Sequence, residues 1–278
     1  MSYSARSHVA PGDVGTANDQ NQGMDNEAAL WPYTVAGQVA VASSTTALAA
    51  KTPGWNPDAP PASPGSIDDE FSVVAGGVPT GWTEYDGDNK TTWAIVNGGA
   101  KAVTLTNAGH SFNGIAKALP AGAFSVMTKV GIAGGEASMH WAGICLWENV
   151  AGDNDGMIFC VIRDNTASFP LRLYCGDFTT RSGGGGDHVA LFTAGYSEYV
   201  YLRVRRTGTN YYFDFSFDGR AWRSTNGGLA IPLDFTPGYV GLGLNNNGTG
   251  LTMTSYFQFL RYVASDLGLT GAMDGARF

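Results

Sequence analysis

Residues 201–224 read YLRVRRTGTNYYFDFSFDGRAWRS, and they place aromatic, basic and acidic side chains at alternate positions. Aromatic rings stack on the CH groups of sugars, while Arg and Asp form directional hydrogen bonds with hydroxyls. The segment PLRLYC alternates in the same way. The candidate glycan-contacting residues are therefore Arg172, Tyr174, Tyr201, Arg203, Tyr212 and Asp214. The alternative is a cross-strand ion pair between Arg203 and Asp214 on a solvated face.

Two strands joined by a turn must position these residues. Apolar and polar residues alternate on both sides of TGTN (207–210), and DG at 218–219 follows the return strand. A period of two indicates half-buried strands, and a Gly-containing pair of turns indicates a hairpin. The hairpin is predicted to turn one apolar face toward a space between two sheets, through Val200, Leu202, Val204, Phe213, Phe215 and Phe217.

Catalytic chemistry finds little support in the sequence. Glycoside hydrolysis needs two carboxylates about 5–9.5 Å apart, and no predicted strand carries an alternating pair of acids. Asp214 stands alone, and Glu148 ends its strand. No GxSxG elbow occurs, His140 is expected to be a packed or surface residue, and His188 lies in a predicted loop. The chain is accordingly predicted to have no catalytic residues and not to be an enzyme.

Two turns carry acids at the spacing of calcium ligands. YDGDN (85–89) and GDNDG (152–156) offer Asp86, Asp88, Asp153 and Asp155. Neither turn has the distal Glu of an EF-hand, and Asp-Asn-Gly turns form without metal. No cofactor is expected, with calcium left open as a weak alternative.

Three cysteines, Cys145, Cys160 and Cys175, each lie in an apolar run without CxxC spacing. They are predicted to be buried thiols rather than zinc ligands, and a disulfide stays open.

Composition narrows the class of protein. Only 14% of residues are charged and 39 are Gly, which favours an all-β protein with long loops. The net charge of −8 argues against a nucleic-acid partner, since phosphate binding needs clustered Lys and Arg. No run is long and apolar enough to insert into a membrane. The polar opening MSYSARSHVAPGD predicts no secretion signal, which fits assembly into a virus particle released by lysis.

Composition also changes along the chain. Residues 1–50 are an anchoring arm with a short helix in 16–31, centred on Glu27–Leu30, and 51–66 form a Pro-rich linker. Because the arm has few large side chains, it is expected to pack on a partner protein or another copy, which predicts a homo-oligomer. A sandwich follows at 67–264, and 265–278 form a loosely packed tail. The predicted strands lie near 91–96, 101–106, 112–118, 124–132, 138–147, 157–163, 170–176, 189–193, 199–206, 210–217, 238–244 and 252–262.

The strand order resembles that of concanavalin A-like, laminin G-like modules. DDEFS (68–72) with GW (81–82), MHWAGICLWEN (139–149), the hairpin at 201–224 and the closing strands at 238–263 carry the resemblance over about 195 residues. It implies an all-β, two-sheet antiparallel jelly-roll sandwich, preceded here by an extended arm. That superfamily includes lectins, glycan-binding modules and glycoside hydrolases.

The N-terminal stretch APGDVGTANDQNQGMDN is similar to short segments near the start of bacteriophage tail and fibre proteins. The resemblance implies a phage virion structural protein of the tail-fibre or receptor-binding type, on the particle surface. The arm would bind other virion proteins, and the sandwich would contact a host surface glycan. The alternatives are a capsid decoration protein with the same module, and an extracellular carbohydrate-binding module or glycoside hydrolase.

Overall fold

A computed structural model describes residues 65–86, 91–96, 99–104, 112–133, 140–149, 155–163, 171–179, 199–245 and 252–268, and the backbone of 34–35, 38–44, 47–51 and 187–192. The chain divides into two compact units, Met1–Asn56 and Pro57–Phe278. This division falls inside the predicted linker 51–66. The helix predicted in 16–31 lies outside the described residues. Over the described ranges, no helix is long and apolar enough to cross a membrane.

The first unit contains an antiparallel three-stranded sheet. Its strands are β1 (Thr34–Val35), β2 (Gln38–Ser44) and β3 (Ala47–Lys51), in the order β1-β2-β3. Sequence analysis did not predict these strands, since the segment lacks large apolar residues. Its Val and Thr residues nevertheless favour extended backbone, because β-branched side chains fit a pleated strand.

The second unit is built from short antiparallel strands. In chain order they are β4 (Ala75–Gly76), β5 (Thr83–Asp86), β6 (Thr91–Val96), β7 (Gly99–Thr104), β8 (Asn113–Ala118), β9 (Phe124–Ala133), β10 (His140–Trp147), β11 (Gly156–Arg163), β12 (Leu171–Phe178), β13 (Asp187–Phe192), β14 (Val200–Thr207), β15 (Asn210–Ser216), β16 (Arg223–Ser224), β17 (Ile231–Pro232), β18 (Tyr239–Asn245) and β19 (Met253–Val263).

These strands form two sheets. Sheet I has the order β16-β15-β14-β9-β19-β7-β6-β4, with β17 paired to β15. Sheet II has the order β13-β12-β11-β10-β18-β8-β5. Each of the twelve predicted strands overlaps an observed one, and the prediction of an all-β, two-sheet antiparallel sandwich is confirmed. The short strands β4, β5, β16 and β17 were missed.

One hydrophobic core lies between the sheets. It joins side chains of sheet I such as Leu202 and Phe213 to side chains of sheet II such as Ile144 and Leu242. Five of the six apolar residues predicted for the hairpin are buried there. Phe217 is the exception, with 45% of its surface exposed. The prediction for Phe217 was wrong because β15 ends at Ser216, so the alternation of faces ends before it.

Candidate functional site

The six predicted glycan-contacting residues lie on two different sheets. Arg172 and Tyr174 belong to β12 of sheet II, whereas Tyr201, Arg203, Tyr212 and Asp214 belong to β14 and β15 of sheet I. In both sheets these side chains alternate with core residues, so they project away from the core. We call the outer side of sheet I the charged face and the outer side of sheet II the aromatic face. The structure therefore does not bring the six residues together.

The charged face is built around a buried ion pair. Arg203 and Asp214 are direct cross-strand partners, and both are fully buried. Arg203 Nη2 lies 3.0 Å from Asp214 Oδ2, and its Nε donates to the same oxygen at 3.1 Å. Arg205 Nε donates to that oxygen at 2.6 Å. One carboxylate thus joins two guanidinium groups, an arrangement that is costly to bury unless its hydrogen bonds are satisfied.

Later parts of the chain seal this network. The Trp222 ring lies 4.3 Å from the Arg203 guanidinium carbon, and the Tyr212 ring lies 4.7 Å from that of Arg205. Asp266, beyond the last strand, accepts a hydrogen bond from Arg205 Nη1 at 2.7 Å. Arg203 and Asp214 were predicted to be accessible on the outer face of the hairpin, and their burial shows that this prediction was wrong. The alternation within the hairpin cannot indicate which later segments of the chain cover it.

The two predicted tyrosines on the charged face differ in exposure. Tyr201 is buried, with the Lys129 ammonium 5.1 Å from its ring, and Tyr212 is half-buried. At the other side of the face, Arg261 forms two hydrogen bonds with Glu70, at 2.7 and 2.8 Å. The charged face is therefore closed by matched charges, and Tyr212 is the predicted residue that stays partly accessible.

The aromatic face carries a second apolar cluster outside the core. Its buried members include Tyr85, Phe112, Cys145, Trp147, Ile158, Cys160, Ile162, Tyr174 and Phe178. Trp141 and Tyr239 pack against this cluster and are only half-buried. On β10 and β11, the side chains that enter the core and those that lie on the aromatic face are mostly apolar. The sequences of these two strands are therefore continuous hydrophobic runs.

Glycine makes room for the large rings. Gly143 pairs with Gly243, which pairs with Gly114, so three neighbouring strands carry Gly at one level of the aromatic face. A Cβ on Gly114 would lie 2.8 Å from Trp147 Cη2, and a Cβ on Gly176 would collide with the Tyr174 ring. The rings therefore lie flat across glycine positions instead of standing away from the sheet.

An accessible rim forms where Trp141 meets Tyr174. Their ring centroids are 4.7 Å apart, and Phe112 lies 5.8 Å from Trp141 on its other side. Arg172 pairs with Ile162, which pairs with Trp141, so Arg172 and Trp141 are two strands apart, about 10 Å. Trp141 Nε1 has no hydrogen-bond partner within the described part of the chain. The rim therefore offers an aromatic surface and a guanidinium, while the indole nitrogen itself is buried.

Trp141 and Tyr239 were not predicted to lie at the surface. The run HWAGICLW is apolar at nearly every position, so its periodicity does not separate core from outer face. The register supplies that distinction, since Ala142, Ile144 and Leu146 enter the core.

Among the described side chains, His140 and the three cysteines supply no reactive group. His140 is fully buried, and burial, with the nearby Arg163 charge, lowers its pKa, which keeps the imidazole neutral at pH 7. His188 has only its backbone described. The three cysteines are free and buried, as predicted, and burial raises the pKa of each thiol. A protonated, buried thiol is a poor nucleophile.

Most of the predicted calcium ligands lie outside the residues that the structure describes. Asp88, Asp153 and the side chain of Asp86 are outside the described residues. Asp155 is described, and its backbone carbonyl accepts a hydrogen bond from the Glu148 amide at 2.9 Å. Within the described ranges, no group of three or more His, Cys, Asp or Glu side chains is arranged to hold a metal ion. Calcium binding stays a prediction.

No protein-family model and no curated protein sequence matches the chain. Solved structures do share its fold. The GH43 BlXynB protein from Bacillus licheniformis matches with a TM-score of 0.54 and 17% identity, over 71% of this chain and 39% of that one. A xylan beta-1,4-xylosidase from Bacillus halodurans C-125 matches with a TM-score of 0.51 and 17% identity, over 70% and 38%.

A GH43 glycoside hydrolase engineered for endo-xylanase and exo-arabinofuranosidase activity matches with a TM-score of 0.53 and 15% identity, over 74% of this chain and 42% of that one. The chain spans about two fifths of the length of these enzymes. At such identities the likeness shows a shared β-sandwich fold.

The prediction that the chain is not an enzyme is contradicted by these neighbours, which are glycoside hydrolases. It rested on a search for paired acids within single strands. Such a search does not consider acids supplied by loops or by another part of a longer protein.

Proposed function

We propose that the sandwich is a carbohydrate-contacting module whose contact surface is the rim of the aromatic face, at Trp141, Arg172 and Tyr174. The observation that carries the proposal is the Trp141–Tyr174 pair, with centroids 4.7 Å apart and Trp141 half-buried. A partly exposed ring held by a neighbouring ring presents a fixed apolar surface, and sugar CH groups pack on such surfaces.

A polar group of the rim suits sugar hydroxyls. The Trp141 indole nitrogen is itself buried and has no acceptor in the described part of the chain, so the guanidinium of Arg172 is the polar group of the rim that suits a ligand. Arg172 lies in the same row of the sheet, about 10 Å away, and its guanidinium offers several donors in a fixed plane. Small-molecule sites commonly combine an apolar lining with a few such polar groups.

The rigid setting also supports the proposal. Tyr174 is 8% exposed and lies over Gly176, while Phe112 stacks on Phe178 at 4.3 Å. Side chains that are already ordered lose little conformational entropy when a ligand binds. The likeness to GH43 enzymes is consistent with a role in carbohydrate recognition.

Affinity electrophoresis against a panel of soluble polysaccharides, xylan included, tests the proposal. Trp141→Ala is expected to weaken binding of any retained polysaccharide about tenfold, which corresponds to about 1.4 kcal/mol. Trp222→Ala removes a half-buried indole from the charged face and is the matched control. Equal loss in both variants, or unchanged binding by Trp141→Ala with an intact near-ultraviolet spectrum, would contradict the proposal.

Glycoside hydrolysis is the second candidate, and the GH43 likeness favours it. The outward positions of β8, β10, β11, β12 and β18 carry no Asp or Glu. Catalytic acids would therefore come from elsewhere, and Glu148 and Asp155 flank the connection between β10 and β11. Reducing-end release from xylan and arabinoxylan, measured for the wild type, Glu148→Gln and Asp155→Asn, tests this candidate. Release that survives both substitutions would exclude these two acids.

A virion location is a separate proposal. It is supported by the resemblance of APGDVGTANDQNQGMDN to phage tail and fibre segments, whose residues lie outside the described part of the chain. Contact of the arm with other virion proteins stands on the same resemblance, whereas homo-oligomer formation is proposed from the scarcity of large side chains in residues 1–50. Mass spectrometry of purified phage particles should detect peptides of this chain, and their absence from complete particles would contradict a virion role.

A further inference from the structure

The segment 264–268 lies on the charged face and is held there by the Asp266 carboxylate and by Ser125. We call it the strap. Asp266 Oδ1 accepts a hydrogen bond from Arg205 Nη1 at 2.7 Å, and Oδ2 accepts one from the Thr207 hydroxyl. Ser125 Oγ donates to the Ser265 carbonyl at 2.8 Å and accepts from the Leu267 amide at 3.0 Å. Sheet I thus binds each oxygen of the Asp266 carboxylate with a separate donor.

Arg205 stays ordered independently of the strap. Its Nε donates to Asp214 at 2.6 Å, and the half-buried Tyr212 ring lies 4.7 Å from its guanidinium carbon. Only Nη1 is directed to Asp266. If the strap left, Arg205 and Thr207 would therefore remain as a two-donor receptor for a carboxylate, beside a partly exposed ring.

Charge also favours an anion at this position. Without Asp266, Arg205 would keep Asp214 as its carboxylate partner and would share that carboxylate with Arg203. A buried guanidinium that shares its carboxylate partner favours a further anion, since buried charges need partners. Burial alone would lower the pKa of Arg205, but its hydrogen bonds and attraction to Asp214 and Asp266 outweigh burial and raise it.

We propose that Arg205 and Thr207 form a binding site for the carboxylate of an acidic sugar, which Asp266 occupies from within the chain. An external uronate would replace the Asp266 carboxylate, release the strap and place its ring beside Tyr212. The choice of a sugar rests on the proposed carbohydrate-contacting function, although this site lies on the opposite face. Because the strap is tethered, it competes at a high effective concentration, so the wild type binds uronates weakly.

Calorimetric titration of the full chain with trigalacturonate tests the site. Asp266→Asn keeps the size of the side chain and removes the competing charge, so it should bind trigalacturonate at least about tenfold more tightly than the wild type. Asp234→Asn removes an exposed charge elsewhere and is the matched control, with unchanged affinity expected. Adding Thr207→Val to Asp266→Asn should cancel the gain. Equal affinity of Asp266→Asn and the wild type would overturn the proposal.

Hydrogen exchange measured on the wild type tests the site without depending on whether a variant folds. Trigalacturonate should speed exchange of the Leu267 and Gly268 amides, which now bond to Ser125 Oγ and Asp266 Oδ1. Xylotriose should leave them unchanged. Faster exchange with triglutamate as well would overturn the assignment to a sugar, and no change with trigalacturonate at saturation would overturn the site.

Trp141→Ala separates this inference from the rim proposal. It should weaken retention of neutral polysaccharides about tenfold and leave trigalacturonate binding intact. Loss of both would place the acidic ligand on the aromatic face and overturn the Arg205 site.

Discussion

The two outer faces of the sandwich have opposite chemistry, although the same core lies beneath both. The charged face buries a carboxylate between two guanidinium groups, and Trp222 and Asp266 cover it. The aromatic face buries rings that lie across glycines of neighbouring strands. The charged face is covered by paired charges from distant parts of the chain. The aromatic face is covered by its own large rings, which pack on the glycines.

This difference shows that, within one fold, substitutions at buried positions are costly for two separate physical reasons. On the charged face, removal of a partner leaves a charge without compensation, so the cost is electrostatic. On the aromatic face, addition of one carbon at a glycine creates a clash, so the cost is steric. The rim at Trp141 is the accessible part of the aromatic face, while on the charged face access requires a segment to leave.

Asp214→Asn should be the most damaging substitution on the charged face. It leaves Arg203 and Arg205 buried without their shared counter-charge, and breaking a buried pair costs about 3–5 kcal/mol. Urea unfolding followed by fluorescence measures the loss in free energy of unfolding. Asp234→Asn changes the same charge at an exposed position and should stay within about 0.5 kcal/mol of the wild type. A loss below about 1 kcal/mol for Asp214→Asn would mean that the network contributes little.

Gly241→Ala is the corresponding test on the aromatic face. A Cβ at Gly241 would collide with the Ile115 carbonyl oxygen and lie 2.7 Å from the Ala116 Cα, so the adjacent strand must move. Overpacking of this kind costs about 1–3 kcal/mol. Gly76→Ala on sheet I, where nothing lies within 4 Å of an added Cβ, is the control and should be nearly neutral. A neutral Gly241→Ala would show that the strands have room to separate.

Much of the fold could be predicted from the alternation of apolar and polar residues, because this pattern depends only on neighbouring positions in the sequence. The hairpin at 200–216 has one apolar and one polar face, so both strands and five of its six predicted core residues were identified. The site depended on contacts between distant segments. Nothing within the hairpin indicates that Trp222 stacks on Arg203 or that Asp266 reaches Arg205. Likewise, Trp141 was not separated from core residues because its strand is apolar on both faces.

Trp222→Leu should have a smaller effect on the charged face. Leu keeps apolar cover over Arg203 but removes the ring whose centroid is 4.3 Å from the guanidinium carbon. Cation–π contacts contribute about 0.5–2 kcal/mol, so a loss in that range is expected in thermal or urea unfolding. Trp222→Phe retains a ring and should lose less than Trp222→Leu. If both variants lose the same amount, the contribution of Trp222 is cover alone.

Asp266→Asn is expected to lower the free energy of unfolding least. Its effect should depend on pH, whereas the effect of Gly241→Ala on the aromatic face should not. Burial alone would raise the pKa of Asp266, but hydrogen bonds from Thr207, the Gly268 amide and Arg205 outweigh it and lower the pKa below the ordinary 3.8. A carboxyl whose folded pKa is lowered stabilises the protein above its unfolded pKa, and this contribution is lost as the pH falls through the folded value.

At pH 7, Asp266→Asn should therefore cost about 1 kcal/mol, as expected for an ion pair whose carboxylate keeps some contact with solvent. The difference between the wild type and this variant should stay constant from pH 8 down to about pH 5 and shrink below about pH 4. The Gly241→Ala difference should not change over this range, because its cause is steric. Urea unfolding of the three proteins at several pH values makes the comparison. A constant Asp266→Asn difference down to pH 2.5 would mean that the strap is not held by the charge of Asp266. A pH-dependent Gly241→Ala difference would mean that its cost is not purely steric.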